Sequence, residues 1–298
     1  MRVLITGASG MLGATLANML KEEHEVFGTG NSNFDEQPKN YKVLDLNAES
    51  YKDVMEWSNP NVIILSGALT NGNYCNDNPE EAFSINGISV KKFAEVTNKN
   101  VKFIYISTDA VFPSKLHLAK ESDCVSPENV YGKSKELGEF FTKFSDKQFC
   151  IIRTTIVGLN LNSKKRGFVE WIINASKTSE DIFLFDDVVF NPISIWELAD
   201  EIKHIISLEN FPNEVLHISG TEIVTKYKFG MELLKALKLE TETVNRGLIS
   251  SFKDRAKRCN DQTLSCVYYQ DKYKRKLPKL ADTIQTINQY YEADKIRK

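Results

Sequence analysis

Tyr131 and Lys135 stand four residues apart in the run Tyr131-Gly132-Lys133-Ser134-Lys135. On a helix that spacing puts both side chains on one face. A tyrosine of ordinary pKa, about 10, is a poor base at neutral pH. A neighbouring ammonium favours its phenolate, and so does an oxidised nicotinamide ring. Lowering the pKa by about three units takes roughly 4 kcal/mol of differential stabilisation. In the reductive direction the same phenol gives its proton to the oxygen of a ketone that receives hydride. Y-x-x-x-K is common by chance, so its weight comes from its company. Ile104-Tyr105-Ile106-Ser107-Thr108-Asp109 reads as an apolar strand ending in hydroxyls and a carboxylate. Ligands of open α/β sheets bind beyond the carboxyl ends of strands, so Thr108 is placed to hydrogen-bond the carbonyl that Tyr131 serves.

A second stretch with chemistry in it is MRVLITGASGMLG, residues 1–13. Val3, Leu4 and Ile5 read as a buried strand. Gly7, Ser9, Gly10, Met11, Leu12 and Gly13 follow, and Leu12, Leu16, Met19 and Leu20 continue in a helical pattern. Strand, glycine turn and helix in that order form a cradle for a dinucleotide pyrophosphate, with free helix N–H groups facing the anion. The spacing is G-x-x-G-x-x-G, which alone also suits a plain strand-to-helix connection. Its position directly after the first strand favours the cofactor. An acid ending the second strand would hold the ribose hydroxyls of NAD. Here that strand runs into Gly28-Thr29-Gly30-Asn31-Ser32, with no acid before Asp35. Asn31 and Ser32 can hydrogen-bond a 2′-phosphate, although no arginine stands there to clamp it. NADP(H) is therefore favoured, with NAD(H) as the other candidate.

These residues need a scaffold. Apolar runs at Arg2–Thr6, Glu25–Gly28, Tyr41–Leu44, Val62–Ser66, Val101–Ser107 and Phe149–Arg153 read as strands of a parallel sheet covered on both faces. Helical patterns lie between them. One begins near Pro79 and puts Ala82, Ile85, Ser89, Phe93 and Val96 on one face. Leu137, Phe140, Phe141 and Phe144 centre away from Tyr131 and Lys135, and are expected to pack in the core, with part of a dimer face as the alternative, while the Tyr131/Lys135 face looks into a cleft. Beyond Gly158 the rhythm changes: helices are expected at Phe168–Ala175, Ile193–Ile206, Lys228–Leu239 and Asp282–Tyr291, with a short strand at Val215–Ile218. The fold class is α/β, a Rossmann-type doubly wound parallel sheet with a smaller C-terminal α/β substrate-binding lobe. The expected division is 1–157 and 158–298, with 191–220 returning to the first unit.

Composition narrows the function. The 298 residues carry 38 Lys plus Arg and 40 Asp plus Glu, a net charge of −2, which does not suggest a nucleic-acid or membrane partner. No apolar run approaches a membrane span of about 20 residues, and the N-terminus does not read as a signal peptide. Cys75, Cys124, Cys150, Cys259 and Cys266 are scattered without C-x-x-C, as expected of reduced thiols in a cytoplasmic protein. The four histidines have no ligand spacing, so no metal is expected.

Gly7/Gly10/Gly13, ISTDAVF (Ile106–Phe112) and YGKSK (Tyr131–Lys135), in that order, resemble an extended short-chain dehydrogenase/reductase. The likeness is greatest to its dTDP-4-dehydrorhamnose reductase (RmlD-like, sugar-nucleotide-binding) branch. GALTNGNYCNDNPEEAFSIN (Gly67–Asn86), SPENVYGKSKELGE (Ser126–Glu139), NPISIWELADEI (Asn191–Ile202) and LHISG (Leu216–Gly220) extend it. RCNDQTLS (Arg258–Ser265) is similar to the branch's C-terminal element, with Cys259 in place of proline. The resemblance implies that Thr108, Tyr131 and Lys135 are the catalytic set, Lys135 also holding the nicotinamide ribose. It implies that Asp45 and Leu46 lie near the adenine, and that Ser66, Gly67, Ala68 and Asn86 border the cofactor. Thr70, Asp109, Ala110 and the Asn191 turn would face the sugar nucleotide. Arg258 would clamp its diphosphate, unless the run Lys253, Arg255, Lys257, Arg258 is only a solvated charged stretch.

The activity implied is NAD(P)H-dependent reduction of a nucleotide-linked 4-keto-6-deoxy sugar for surface polysaccharide, by a monomer or homodimer. The same branch resembles the regulatory β subunit of methionine adenosyltransferase, and a nucleotide-sugar epimerase is a third reading. Where dehydrating relatives carry an acid after Thr-Asp, this chain has Ala110, which argues against 4,6-dehydratase chemistry. The branch's tyrosine at that position and its tryptophan near Ile156 are also absent, and Asn73 and Asn76 replace acids in the loop Asn71–Asn76. The sugar pocket is therefore expected to be differently shaped.

Overall fold

Val3, Leu4, Ile5 and Thr6 are buried on both faces of a strand in the computed structural model, which describes residues 1–47, 50–251, 257 and 259–297. That strand, β1 (Arg2–Thr6), leads through the glycine turn into α1 (Met11–Leu20). The chain continues through β2 (Glu25–Gly30), β3 (Asn40–Val43), α2 (Tyr51–Ser58), β4 (Val62–Leu65), α3 (Gly72–Asp77), α4 (Pro79–Phe83) and α5 (Ser89–Val96). It then forms β5 (Lys102–Thr108), α6 (Val130–Lys143), β6 (Phe149–Thr154) and β7 (Ile156–Val157). The second half adds α7 (Phe168–Thr178), β8 (Ile182–Phe185), β9 (Val189–Phe190), β10 (Ile193–Ser194), α8 (Ile195–Ser207) and β11 (Glu214–His217). It ends with β12 (Val224–Thr225), α9 (Lys226–Ala236), β13 (Val244–Gly247), β14 (Asp261–Gln262), α10 (Val267–Tyr273) and α11 (Leu280–Arg297).

The central sheet has seven strands in the order β11-β6-β5-β4-β1-β2-β3, every pair parallel. Strand alternation divides its apolar residues between two layers. Val3, Ile5, Ile64, Ile104 and Ile152 pack with Leu12 and Leu16 of α1 and Leu198 and Ile202 of α8. Leu4, Ile63, Phe103, Tyr105 and Ile151 pack with Tyr51 and Val54 of α2 and Val90 and Phe93 of α5. Strands buried on both faces read as continuous apolar runs for this reason. The smaller lobe holds the parallel pair β8–β13 and the three-stranded β12-β9-β14, with α9 packed against β8 and α7. Cys75, Cys150, Cys259 and Cys266 are buried and free; Cys124 is exposed.

Three expectations are corrected. The helix expected over Ile193–Ile206 begins two residues later, because Ser194 caps it. Its Oγ accepts from the Glu197 N–H at 3.2 Å, and Glu197 Oε2 accepts from the Ser194 N–H at 2.9 Å. The helix beginning at Pro79 is interrupted by a π-helical turn over Ser84–Ile88. Its extra residue rotates the continuation, so Phe93 is buried while Val96 is 39% exposed. On α6, Phe140 and Phe144 are 51% and 73% exposed rather than in the core. The face α6 buries carries Ser134, Lys135, Gly138, Glu139 and Thr142, whose polar groups find partners inside.

Candidate active site

The glycine turn is packed so closely that side chains at Gly7 and Gly13 would strike backbone. Gly7 has φ +69°, and a Cβ there would lie 2.5 Å from the Gly67 Cα. A Cβ on Gly13 would lie 2.2 Å from the Gly7 carbonyl oxygen. Gly10 precedes α1 with no side-chain cap, so the first N–H groups of that helix remain available to an anion. The residues present therefore fit a dinucleotide. The turn opens onto a cavity of ≈ 1110 Å³ that runs along the carboxyl ends of the central strands.

At the other end of the cavity, Thr108 ends β5 and Tyr131 lies in the first turn of α6. That turn is capped by Asn129, whose Oδ1 accepts from the Gly132 N–H at 2.8 Å. Thr108 Oγ1 donates to Asp109 Oδ1 at 3.0 Å, accepts from the Ala110 N–H at 3.2 Å and stands close enough to the Tyr131 hydroxyl to favour its ionised form. Burial pushes the Tyr131 phenol above its ordinary pKa, against the influence of Thr108. The lowering expected from Lys135 does not occur, because the Lys135 ammonium turns inward. Its Nζ donates to the Ile106 carbonyl at 2.7 Å and lies 4.2 Å from the Tyr105 ring centroid. Burial brings Lys135 down to a pKa of about 7, against the attraction of Glu139. Asp109 is lifted to about 6 by burial, against Lys226 and the Thr108 bond.

A buried ion pair fixes this face of α6. Glu139, one turn beyond Lys135, accepts from Ser107 Oγ at 2.6 Å and from Arg153 Nε and Nη2 at 2.8 and 2.7 Å. Both charged side chains are 2% exposed. Against the upward push of burial, Arg153 and Ser107 hold Glu139 below its ordinary pKa. Arg153 Nη1 lies 3.4 Å from His217 Nε2, and His217 Nδ1 lies 3.0 Å from the Ala119 carbonyl. Burial and Arg153 lower His217 to about 3, so the ring is neutral: Nδ1–H donates to Ala119 and Nε2 accepts from Arg153. The pair thus ties α6 to the ends of β5 and β6, the strands that carry Thr108 and Thr154.

Residues 1–292 match the model of the RmlD substrate binding domain family. The chain belongs to this family. It is similar to the spore coat polysaccharide biosynthesis protein SpsK of Bacillus subtilis, 30% identical over 243 residues that cover 80% of this chain and 81% of that protein. It also resembles the dTDP-4-dehydrorhamnose reductase of Bacillus anthracis solved in complex with NADP. That likeness has a TM-score of 0.85 and 25% identity, covering 96% of this chain and 98% of that one. A dTDP-4-dehydrorhamnose reductase ortholog from Clostridium acetobutylicum superposes equally well, with a TM-score of 0.85 and 26% identity over 99% of this chain and 100% of that one. The RmlD-type fold is the doubly wound parallel sheet described above.

Within this RmlD-family chain, most sequence-derived candidates come together. Gly7, Ser9, Gly10, Met11, Leu12, Gly13, Asn31, Asp45, Leu46, Ser66, Gly67 and Ala68 line the half of the cavity around the glycine turn. Thr70, Thr108, Asp109, Tyr131 and Lys135 line the remainder. Ser32 and Ala110 fall outside the lining. So does Asn86, which the π-helical turn buries: its amide accepts from the Leu69 N–H and donates to the Leu69 carbonyl and Ser134 Oγ. Asn86 therefore holds the loop after β4. Asn191 is likewise buried, donating to the Gly220 and Leu264 carbonyls and accepting from the Leu264 N–H. Lys253, Arg255 and Arg258 lie outside the described residues, while Lys257 pairs with Glu128 at 3.0 Å.

Sequence reasoning passed over other lining residues. Lys226 lies over the Phe190 ring, 3.3 Å from its centroid, at the Asp109 end. Lys165 and Arg166 reach the cavity from the β7–α7 loop, and the run Lys164-Lys165-Arg166 was their signal. Thr154 pairs with Thr108 across the β5–β6 ladder. Its hydroxyl is buried, lines the cavity and has no hydrogen-bond partner among the described residues. Thr155, the next residue, spends its own on the Asn191 carbonyl and Ser219.

Proposed function

We propose that this chain is an NADPH-dependent reductase of a nucleotide-linked 4-keto-6-deoxy sugar, acting in the supply of nucleotide sugars for surface polysaccharide. What carries the reading is one cavity lined both by the glycine cradle and by Thr108, Tyr131 and, a turn away, Lys135. Reduced nicotinamide, when bound, supplies the hydride for the carbonyl carbon. Tyr131 gives its phenolic proton to the carbonyl oxygen, converting ketone to alcohol. Its raised pKa keeps that proton in place until the oxygen becomes basic. Thr108 orients the oxygen by a second hydrogen bond, its hydroxyl rotating from Asp109 Oδ1 to the substrate. Lys135 would stabilise the phenolate left after transfer if its ammonium swung from the Ile106 carbonyl toward the cavity once the cofactor is bound. NADP(H) is the favoured cofactor because the end of β2 carries Asn31 and no carboxylate.

The test is consumption of NADPH and NADH with dTDP-, UDP-, GDP- and CDP-linked 4-keto-6-deoxy sugars, the product identified by NMR. Consumption dependent on one sugar is the expected result. Tyr131→Phe is expected to lower turnover by about 10²–10⁴-fold while leaving the dissociation constant for NADPH nearly unchanged. Turnover like wild type in that variant would remove Tyr131 from its role. No consumption with any sugar, despite cofactor binding, would remove the reductase.

A further inference from the structure

The loop between β7 and α7 crosses from the smaller lobe to the glycine turn. Asn162, 3% exposed, donates from Nδ2 to the Ser9 carbonyl at 3.2 Å. Its own carbonyl and Oδ1 accept from the Lys165 and Lys164 N–H groups at 3.0 and 3.1 Å. Glu170 of α7 holds the loop's two ends, accepting from Asn160 and from the Gly167 N–H. Thus anchored, the loop lays Lys165 Nζ 3.2 Å from Ser9 Oγ.

Ser9 marks a particular corner of the cradle. Its Oγ lies 3.3 Å from Asn31 Oδ1, just past the end of β2. The end of that strand is where dinucleotide folds meet the adenosine ribose at its 2′ position. Lys165 is half-buried, and burial alone lowers its pKa. No carboxylate lies within ion-pair distance of it among the described residues. An ammonium held out of water beside the ribose corner, with only neutral oxygen partners, is matched to an anion.

We propose that Lys165 binds the 2′-phosphate of NADP(H), so that the smaller lobe supplies the cation missing from β2. This rests on the dinucleotide reading above and adds the residue that sets its preference. Lys165 takes the phosphate oxygens through charge-assisted hydrogen bonds. Ser9 and Asn31 flank it as neutral partners, and Arg166, exposed on the same loop, faces the same cavity. Cofactor preference then depends on whether this loop is seated on the Ser9 carbonyl.

The experiment measures dissociation constants for NADPH, NADH, 2′,5′-ADP and 5′-ADP by nucleotide fluorescence or calorimetry, without sugar substrate. Wild type, Lys165→Ala, Lys165→Arg and the neighbouring Lys164→Ala are compared. Lys165→Ala is expected to weaken NADPH and 2′,5′-ADP by about tenfold or more while changing NADH and 5′-ADP by less than about twofold. Lys165→Arg restores binding, and Lys164→Ala changes nothing. Equal losses for NADPH and NADH would place the ammonium on the pyrophosphate and overturn the proposal. Unchanged NADPH binding in Lys165→Ala, or a wild type that binds the two cofactors equally, would also overturn it and leave the reductase standing. A wild type that binds no dinucleotide would sink the reductase with it.

Discussion

Lys135 has a folded-state pKa of about 7, well below the ordinary lysine value, so its charge in the free protein is lost near neutrality. In the proposed mechanism the ammonium is the form that would stabilise the Tyr131 phenolate. In the free enzyme, kcat/KM for reduction is therefore expected to fall as pH rises through about 7. A profile flat from pH 6 to 8 would separate Lys135 from the rate. Stability has its own sign. The unfolded chain holds this proton up to about pH 10.4 and the folded chain only to about 7. The folded state is therefore penalised fully below pH 7 and relieved as pH rises toward 10. In urea unfolding at pH 6.5 and 9.5, wild type should gain on Lys135→Met at the higher pH. At this scale the sequence was informative where spacing carries geometry, as for Tyr131, Lys135 and Thr108. It was silent on Thr154, because nothing in Thr154-Thr155 says which hydroxyl is spent on the protein and which faces the cavity.

The position of α6 rests on the Glu139–Arg153 pair. Arg153→Met leaves a buried carboxylate without its guanidinium and is expected to cost about 3–5 kcal/mol in denaturant unfolding. Glu139→Leu combined with Arg153→Met should recover much of that loss, since two apolar groups can replace a buried pair. If the double variant is no more stable than Arg153→Met, the unpaired charge is not the cause. The pair also explains why periodicity misjudged α6. Counting apolar residues pointed to Phe140 and Phe144, but the core accepts Lys135, Glu139 and Ser134 because each finds a buried partner. Ser194-Ile195-Trp196-Glu197 did carry a readable capping-box signature for α8. The π-helical turn at Ser84–Ile88 left no comparable mark, since an inserted residue depends on the loop and strand it meets. Gly87 faces Leu137, and Tyr105 donates to the Asn86 carbonyl at 2.8 Å.

Across the whole molecule, the two halves share one core. β11 is the edge strand beside β6, and α8 packs on α1, both supplied from beyond residue 190. A fragment of residues 1–157 would expose Leu12, Leu16, Ile104 and Ile152, so it is expected to bind a hydrophobic dye and unfold without a cooperative transition. A cooperative melt like that of the full chain would show the first half to be self-sufficient. The alternating strands and helices of the first half made the sheet legible from sequence. The return of the chain was harder to place, because short strands such as β7, β9 and β10 carry too few residues for a period. One further consequence follows from the thiols. With Cys124 exposed and the other four cysteines inside, a maleimide should mark a single position in native solution and five after denaturation. The protein thus carries its own attachment point for a fluorophore or spin label, and counting modified chains by mass reads the fraction that has opened.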